Sequence, residues 1–509
     1  MTALDERSGR RAEAAEAPAG RCDWPMVIGA AAGVMALLAF FANRYGYHAD
    51  ELYFRLLGER DLAWGYVDQP PALPALVHAS AQVFGDSLWG IRVPAILCAG
   101  AIVILGNLVA VELGASRRAQ LITSLGLATS MLVLTFGHWV LTSSVDTVAW
   151  CAVLLFMVRA LLRDNGRWWV AAGVAIGLAL YAKYIILLLP AALLIGLLAV
   201  GPRHHFRQPW LYLGGLAAVV IGAPNLIYQL ANDLPQVQMA QGLGDTDGAV
   251  NRAMFLQNLF FVLGPGLTVL AIVGLIGVFR ERRWRNLRGF GVAYLIATVA
   301  AVMIEGGRPD YTAGFLVGLF IAGAIRADRW MSRRRRALRT TFVLGGLALM
   351  AALQGLLALP LIPQSQLHTF AINSMALESV GWPATVEQIT NVYRGLPAEQ
   401  KAGAIILTEN FGEAGALDAL GEGLPGVYSG HNALHDYGPP PASATTVIAV
   451  GIDPTRLAAD FTACREATRL DNHLQVDNPE QGRLVSVCTG PRQSWPSLWP
   501  AYRHLNAYL

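Results

Sequence analysis

Apolar runs of nearly 20 residues recur from Pro25 to Leu359, and each is long enough to cross about 30 Å of hydrocarbon as a helix. Inside a bilayer every backbone N–H and C=O must be satisfied within its own segment or sheet, so runs of this kind can only be helices. Charged residues make up 14% of the chain, against roughly 25% in a soluble globular domain. The sequence therefore reads as a polytopic α-helical membrane protein of about eleven transmembrane helices. The spans fall near residues 25–42, 90–112, 119–136, 145–162, 168–181, 185–200, 210–229, 254–279, 289–304, 312–325 and 340–359. A single helix from Trp168 to Val200 would run about 50 Å, too long for one crossing, so the chain is expected to turn at Tyr181, Lys183 and Tyr184.

Residues 1–23 carry no apolar periodicity and read as a disordered cytoplasmic tail. The first apolar run has no small-residue cleavage site after it and reads as a retained helix. Alternating the connections puts Arg117 and Arg118, Arg159 to Arg167, Arg203 and Arg207, Arg280 to Arg288 and Arg326 to Arg339 on the side of this tail. By the positive-inside rule that side is the cytoplasm. The first loop (43–89) and everything after Pro360 are then extracytoplasmic. The loop holds two amphipathic stretches, Asp50 to Leu57 and Leu73 to Phe84, expected to lie along the membrane surface. Residues 24–360 form the transmembrane domain and 361–509 a small α/β domain, with strands at Ala404–Thr408, Thr445–Val450 and Arg483–Cys488 and a helix at Arg456–Arg465. Cys464 and Cys488 are free to pair if that domain lies outside, and two buried thiols are the other reading. No nucleic-acid patch, phosphate loop, dinucleotide fingerprint or nucleophile elbow is present.

The ionisable residues that orientation does not require gather at the outer face. Tyr47-His48-Ala49-Asp50-Glu51-Leu52-Tyr53-Phe54 follows the first span at interfacial depth. Asp50 is placed to take a proton from a polar acceptor, or alternatively to cap the helix that follows it. Glu51 stands four residues from Arg55, and a surface ion pair accounts for it. Lysine occurs only at positions 183 and 401 beside 36 arginines, so Lys183 at a membrane edge suggests a chemical need such as a phosphate. Arg308, in Gly306-Gly307-Arg308-Pro309-Asp310-Tyr311, is a second phosphate candidate, and Arg92 is either an interface anchor or a ligand. His138 and Asp146 bracket a short outer turn. With His48 and Asp50 they offer nitrogen and oxygen ligands for a divalent metal, though without diagnostic spacing.

Several of these segments resemble bacterial family 39 glycosyltransferases. These are relatives of protein mannosyltransferases and of the aminoarabinose transferase that modifies lipid A, all of the C-type membrane fold. The resemblance runs from Tyr47–Phe54 through Trp64–Pro71, Phe84–Ser87 with Arg92, Gly137-His138, Ser144–Trp150, Tyr181–Tyr184 and Pro224–Gln229 to Gly307–Tyr311, over about residues 25–330. It implies a polyprenyl-phosphate-sugar donor, Asp50 as general base and cations cradling the lipid phosphate, with Lys183 where relatives commonly carry lysine. Tyr311 belongs to the last motif. Two departures stand out: Ser143 replaces the first of two aspartates before the fourth span, and Arg308 and Asp310 replace the lysine and a tyrosine of the later motif. The expected partners are the donor lipid, the membrane and an acceptor that is protein, lipid or polysaccharide. A lipid-linked-sugar transporter or flippase, or a membrane scaffold, would use the same edge charges to line a path or bind a partner.

Overall fold

The computed structural model describes residues 20–304, 306–333, 335–370 and 373–508. Most of the expected tail, residues 1–19, and Glu305 lie outside the described residues.

The eleven apolar segments map onto helices, two of them onto bent pairs of helices rather than single ones. Numbered in chain order, these are α1 (Trp24–Phe41), α4 (Leu88–Glu112), α5 with α6 (Arg117–Ala128 and Met131–His138), α7 (Thr142–Arg163), α8 (Arg167–Ala179), α9 (Leu188–Val200), α10 (Pro209–Ala231), α11 with α12 (Pro235–Val262 and Pro265–Arg280), α13 (Arg288–Met303), α14 (Ala313–Met331) and α15 (Arg336–Ala358). The first loop supplies α2 (Ala49–Arg60) and α3 (Ala72–Phe84). Among the described residues, seven helices are long and apolar enough to cross a membrane by themselves, and nine if each of two bent pairs is one span. α8 and α9 are shorter apolar helices. Large apolar side chains on the outer faces, including Phe40, Leu230, Leu256 and Phe342, are left uncovered by protein, as a surface facing lipid tails requires. α14 runs through the middle, with nearly every side chain buried.

The eighth expected span is not a single straight helix. α11 begins at Pro235, well before residue 254, and meets α12 at an angle of 91°. Gly264 adopts φ +93° and Pro265 opens α12, a pairing that ends one helix and starts the next in a new direction. The turn between α8 and α9 falls at residues 180–183, followed by a short 3₁₀ turn, Tyr184–Leu187.

After α15 come α16 (Trp382–Arg394), α17 (Phe411–Leu420), α18 (Pro454–Asp460) and five strands: β1 (Ala404–Thr408), β2 (Val427–Ser429), β3 (Thr446–Val450), β4 (Phe461–Arg469) and β5 (Leu484–Pro491). They form one mixed sheet in the order β2-β1-β3-β5-β4. β1 is parallel to β2 and β3, while β5 is antiparallel to β3 and β4. The helix expected over Arg456–Arg465 stops at Asp460, and the rest of that segment is the edge strand β4. Pairing with β5 overrides its local helical pattern, and its exposed charged residues suit an unpaired edge. Cys464 and Cys488 are register partners across this pair and are disulfide-bonded.

The C-terminal segment, residues 373–508, sits on the first loop. α17 packs along α2 so closely that a Cβ on Gly415 would meet Leu52 backbone atoms at 2.9 Å. α2 is therefore covered on one side by α3 and on the other by α17, with Leu52, Leu56 and Leu57 wholly buried. The surface-lying amphipathic helix expected there is instead an interior element.

Candidate functional site

His48, not Asp50, caps α2. The His48 Nδ1 accepts the Asp50 N–H at 3.1 Å, and the Glu51 carboxylate reaches back to the His48 N–H at 2.9 Å, a reciprocal cap that satisfies two amides left over at the helix start. The capping alternative for Asp50 is thereby filled by its neighbour. Asp50 lines a cavity of about 420 Å³. The first loop contributes His48, Asp50, Tyr53, Phe54 and Asp68–Pro70 to its wall. Lys183 and Tyr184 come from the α8–α9 turn, Gln236 to Leu243 from α11, and Arg308 and Tyr311 from the turn before α14. The C-terminal segment adds Glu378, Phe411, Asn432 and Asn506–Tyr508.

Four of the sequence candidates, Asp50, Lys183, Arg308 and Tyr311, thus meet in one cavity, although some 130 residues separate each of the first three from the next. Burial raises the Asp50 carboxyl above the usual aspartate range, Glu378 adds to the rise, and His48 and Arg308 oppose it. His48 is fixed from its other side by Glu378, whose Oε2 lies 3.0 Å from Nε2. Lys183 Nζ lies 3.5 Å from Asp310 Oδ2 and 3.2 Å from the Ser143 hydroxyl, and it sits over the Tyr311 ring at 5.1 Å.

Glu51, Arg92 and His138 form a separate structure behind the wall. Glu51 and Arg92 are both wholly buried and joined by two hydrogen bonds, Nε to Oε1 at 2.8 Å and Nη2 to Oε2 at 2.7 Å. Arg92 also donates to the carbonyls of Ala42 (2.6 Å) and Gly46 (2.7 Å), and His138 Nε2 lies 3.4 Å from its Nη1. Glu51 in addition accepts the Val140 N–H at 3.0 Å. The surface pair expected between Glu51 and Arg55 does not form; Arg55 instead binds Glu59, Asp86 and Asp418. This network ties the first loop to α4 and to the α6–α7 turn, and so holds the start of α2 in place. Asp146 is buried in the first turns of α7 beneath Lys183.

Among the described residues, the four donors considered for a metal do not gather into one ligating group. Both nitrogens of His48 are engaged, by the Asp50 amide and by Glu378, and His138 faces the Arg92 guanidinium, a cation. Among the described residues, the group with cation-holding proximity is Asp164, His204 and His205. It lies past the far end of α7, about 33 Å from the cavity by helix length.

Sequence reasoning missed the C-terminal segment's share of the wall. Phe411 stacks on Tyr53 with ring centroids 4.4 Å apart, and the Tyr53 hydroxyl donates to Asp68 at 3.0 Å and accepts the Ala433 N–H at 3.1 Å. Burial lifts the Asp68 carboxyl to about 7. Asp68 stood in a noted motif, but nothing in the sequence near Glu378 or Tyr508 marks them.

Residues 68–228 match the family model of dolichyl-phosphate-mannose-protein mannosyltransferases. The structure superposes on that of ArnT from Cupriavidus metallidurans bound to undecaprenyl phosphate with a TM-score of 0.61, at 15% identity, over 93% of this chain and 100% of that one. The chain has the C-type membrane glycosyltransferase fold. The apo form of the same ArnT gives a TM-score of 0.60 at 15% identity, over 91% and 98% of the two chains. The arabinofuranosyltransferase AftD from Mycobacteria gives 0.53 at 13% identity, with 94% of this chain covering 40% of that larger one. No curated protein sequence matches. The match to ArnT extends past the transmembrane helices and takes in the C-terminal segment that lines the cavity.

Proposed function

We propose that this protein is a membrane glycosyltransferase that moves a sugar from a polyprenyl-phosphate carrier to an acceptor on the outer face of the cytoplasmic membrane. The observation that carries the reading is the convergence of Asp50, Lys183 and Arg308 on one cavity on a C-type fold. Asp50 takes the proton of an acceptor hydroxyl as its oxygen bonds to the anomeric carbon. The bond from that carbon to the phosphate oxygen breaks on the opposite face, inverting the centre, and the lipid phosphate leaves with the electron pair. Lys183 and Arg308 stabilise the charge that develops on it, as fixed cations already in place. Burial raises the basicity of Asp50, which strengthens it as a proton acceptor.

The ArnT structure with undecaprenyl phosphate supports a polyprenyl donor, and the Cys464–Cys488 disulfide favours an outer domain in an oxidising compartment with the N-terminus cytoplasmic. The outer segment, which supplies Phe411, Asn432 and Tyr508, is the part placed to select the acceptor. Incubating the purified protein in detergent with polyprenyl-phosphate sugars and cell-envelope acceptors should release lipid phosphate and a glycosylated product. Asp50→Asn should lower the rate by about 10²–10⁴ with folding intact. Full activity of that variant would remove Asp50 as the base, and unchanged lipid with every acceptor would favour transport.

A further inference from the structure

The cation assigned to the leaving phosphate already has a partner. Lys183 Nζ, the Ser143 hydroxyl and Asp310 Oδ2 form a closed triangle with sides of 3.2, 3.1 and 3.5 Å, and the hydroxyl donates to the carboxylate. The three residues come from the α8–α9 turn, the first turn of α7 and the turn before α14. Both charged side chains are about one-fifth exposed, 21% and 22%, so water in the cavity screens the pair only in part. Lys183 also feels Asp146 as a second carboxylate and Arg308 as a like charge. An ammonium has three N–H donors. With two directed at Ser143 and Asp310, one is left for an incoming anion, and fuller engagement requires Asp310 to release it.

Donor and product differ in charge. A sugar-linked lipid phosphate is a diester with one negative charge, whereas the released lipid phosphate is a monoester with roughly −1.5 to −2 near neutral pH. Cations with no competitor would hold the product more tightly than the substrate, and turnover would slow at release. We propose that Asp310 is a resident counter-ion of Lys183 that phosphate displaces on binding and that competes the spent lipid phosphate off again. The proposal rests on Lys183 being the phosphate-holding cation. Asp310 touches no reacting atom in this scheme and is a positioning residue.

The test uses the full-length protein in detergent, with undecaprenyl phosphate as the probe in an equilibrium binding measurement. Asp310→Asn keeps the shape and the acceptor for Ser143 while removing the charge. It should bind the probe on the order of tenfold more tightly, the scale of losing one partly screened ion pair. Lys183→Gln should weaken binding by at least as much, and the double variant should be as weak as Lys183→Gln. In turnover, Asp310→Asn should lower the donor KM and kcat together and be inhibited at lower undecaprenyl phosphate concentrations. Unchanged binding by Lys183→Gln overturns the phosphate reading of that lysine and the counter-ion with it. Weakened binding by Lys183→Gln, with no tightening by Asp310→Asn, overturns the counter-ion alone. If Asp310→Asn does not fold, Ser143→Asp sets a further carboxylate against the same ammonium and should weaken binding, and a variant that binds as the parent does overturns the proposal.

Discussion

Replacing Arg92 by Met takes the cation out of the buried network behind the cavity and leaves the Glu51 carboxylate without solvent or counter-charge, since both side chains are wholly buried. Hydrogen bonds to Glu51 and to the carbonyls of Ala42 and Gly46 are lost with it. Breaking a buried ion pair from one side costs about 3–5 kcal/mol, and each orphaned buried acceptor about 1–3 kcal/mol more. The N–H groups of His48 and Val140 still serve Glu51, and local water entry offsets part of the remainder, so the net loss is about 4–6 kcal/mol. At roughly 2 °C per kcal/mol for a large domain, the apparent melting midpoint should fall by about 10 °C. The assay is tryptophan fluorescence of the detergent-solubilised protein during heating, with monodispersity followed by gel filtration. Glu51→Gln/Arg92→Met removes both charges and should recover at least half of the loss, because the cost lies in the uncompensated carboxylate. An Arg92→Met midpoint within about 2 °C of the parent, or a double variant no more stable than Arg92→Met, would refute this account of the network.

The acid limb of kcat/KM for sugar transfer should lie above the ordinary aspartate value of 3.8, because burial raises Asp50; a limb at or below that value would show that a different group is titrating. Asp68 carries a folded-state pKa of about 7 against 3.8 in the unfolded chain, so the folded state keeps a proton that the unfolded state loses between these values, and stability falls as pH rises through that window. Asp68→Asn should flatten the dependence of the melting midpoint on pH between about 4 and 7, and a slope equal to the parent's would remove Asp68 as its source. The Cys464–Cys488 bond closes a loop with a sequence separation of 24, so Cys464→Ser/Cys488→Ser should destabilise the C-terminal segment by about 3 kcal/mol, read as earlier protease cleavage within residues 404–491.

The helices and the cavity residues Asp50, Lys183 and Arg308 were legible because both signals are local. Apolar runs set the helix positions, and the scarcity of lysine drew attention to Lys183. The bend between α11 and α12 was written in Gly264-Pro265, but a uniformly apolar stretch hid it. Glu51 was assigned to Arg55 because that is its nearest cation along a helix, whereas its partner Arg92 lies 41 residues away and is brought in only by packing. Glu378 and Tyr508 reach the cavity from over 300 residues beyond Asp50, and no short-range pattern announces such a meeting. The reversal of Arg456–Arg465 from helix to strand at Phe461 likewise depends on β5, a segment whose pairing no local periodicity specifies. Ser143 and Asp310, one residue from each of the two departures from the family pattern, looked unrelated along the chain and are hydrogen-bonded to each other in space.

The close seating of α17 against α2 has a consequence for how such a protein can be altered. The helix that bears Asp50 is wedged between α3 and α17, so the C-terminal segment is no detachable accessory. Trimming it, or grafting in a counterpart with bulkier residues at positions 412 and 415, would loosen the very strut that aims the carboxylate. Chimeras meant to redirect the acceptor will need to carry α2 and its covering helix together as a single cassette.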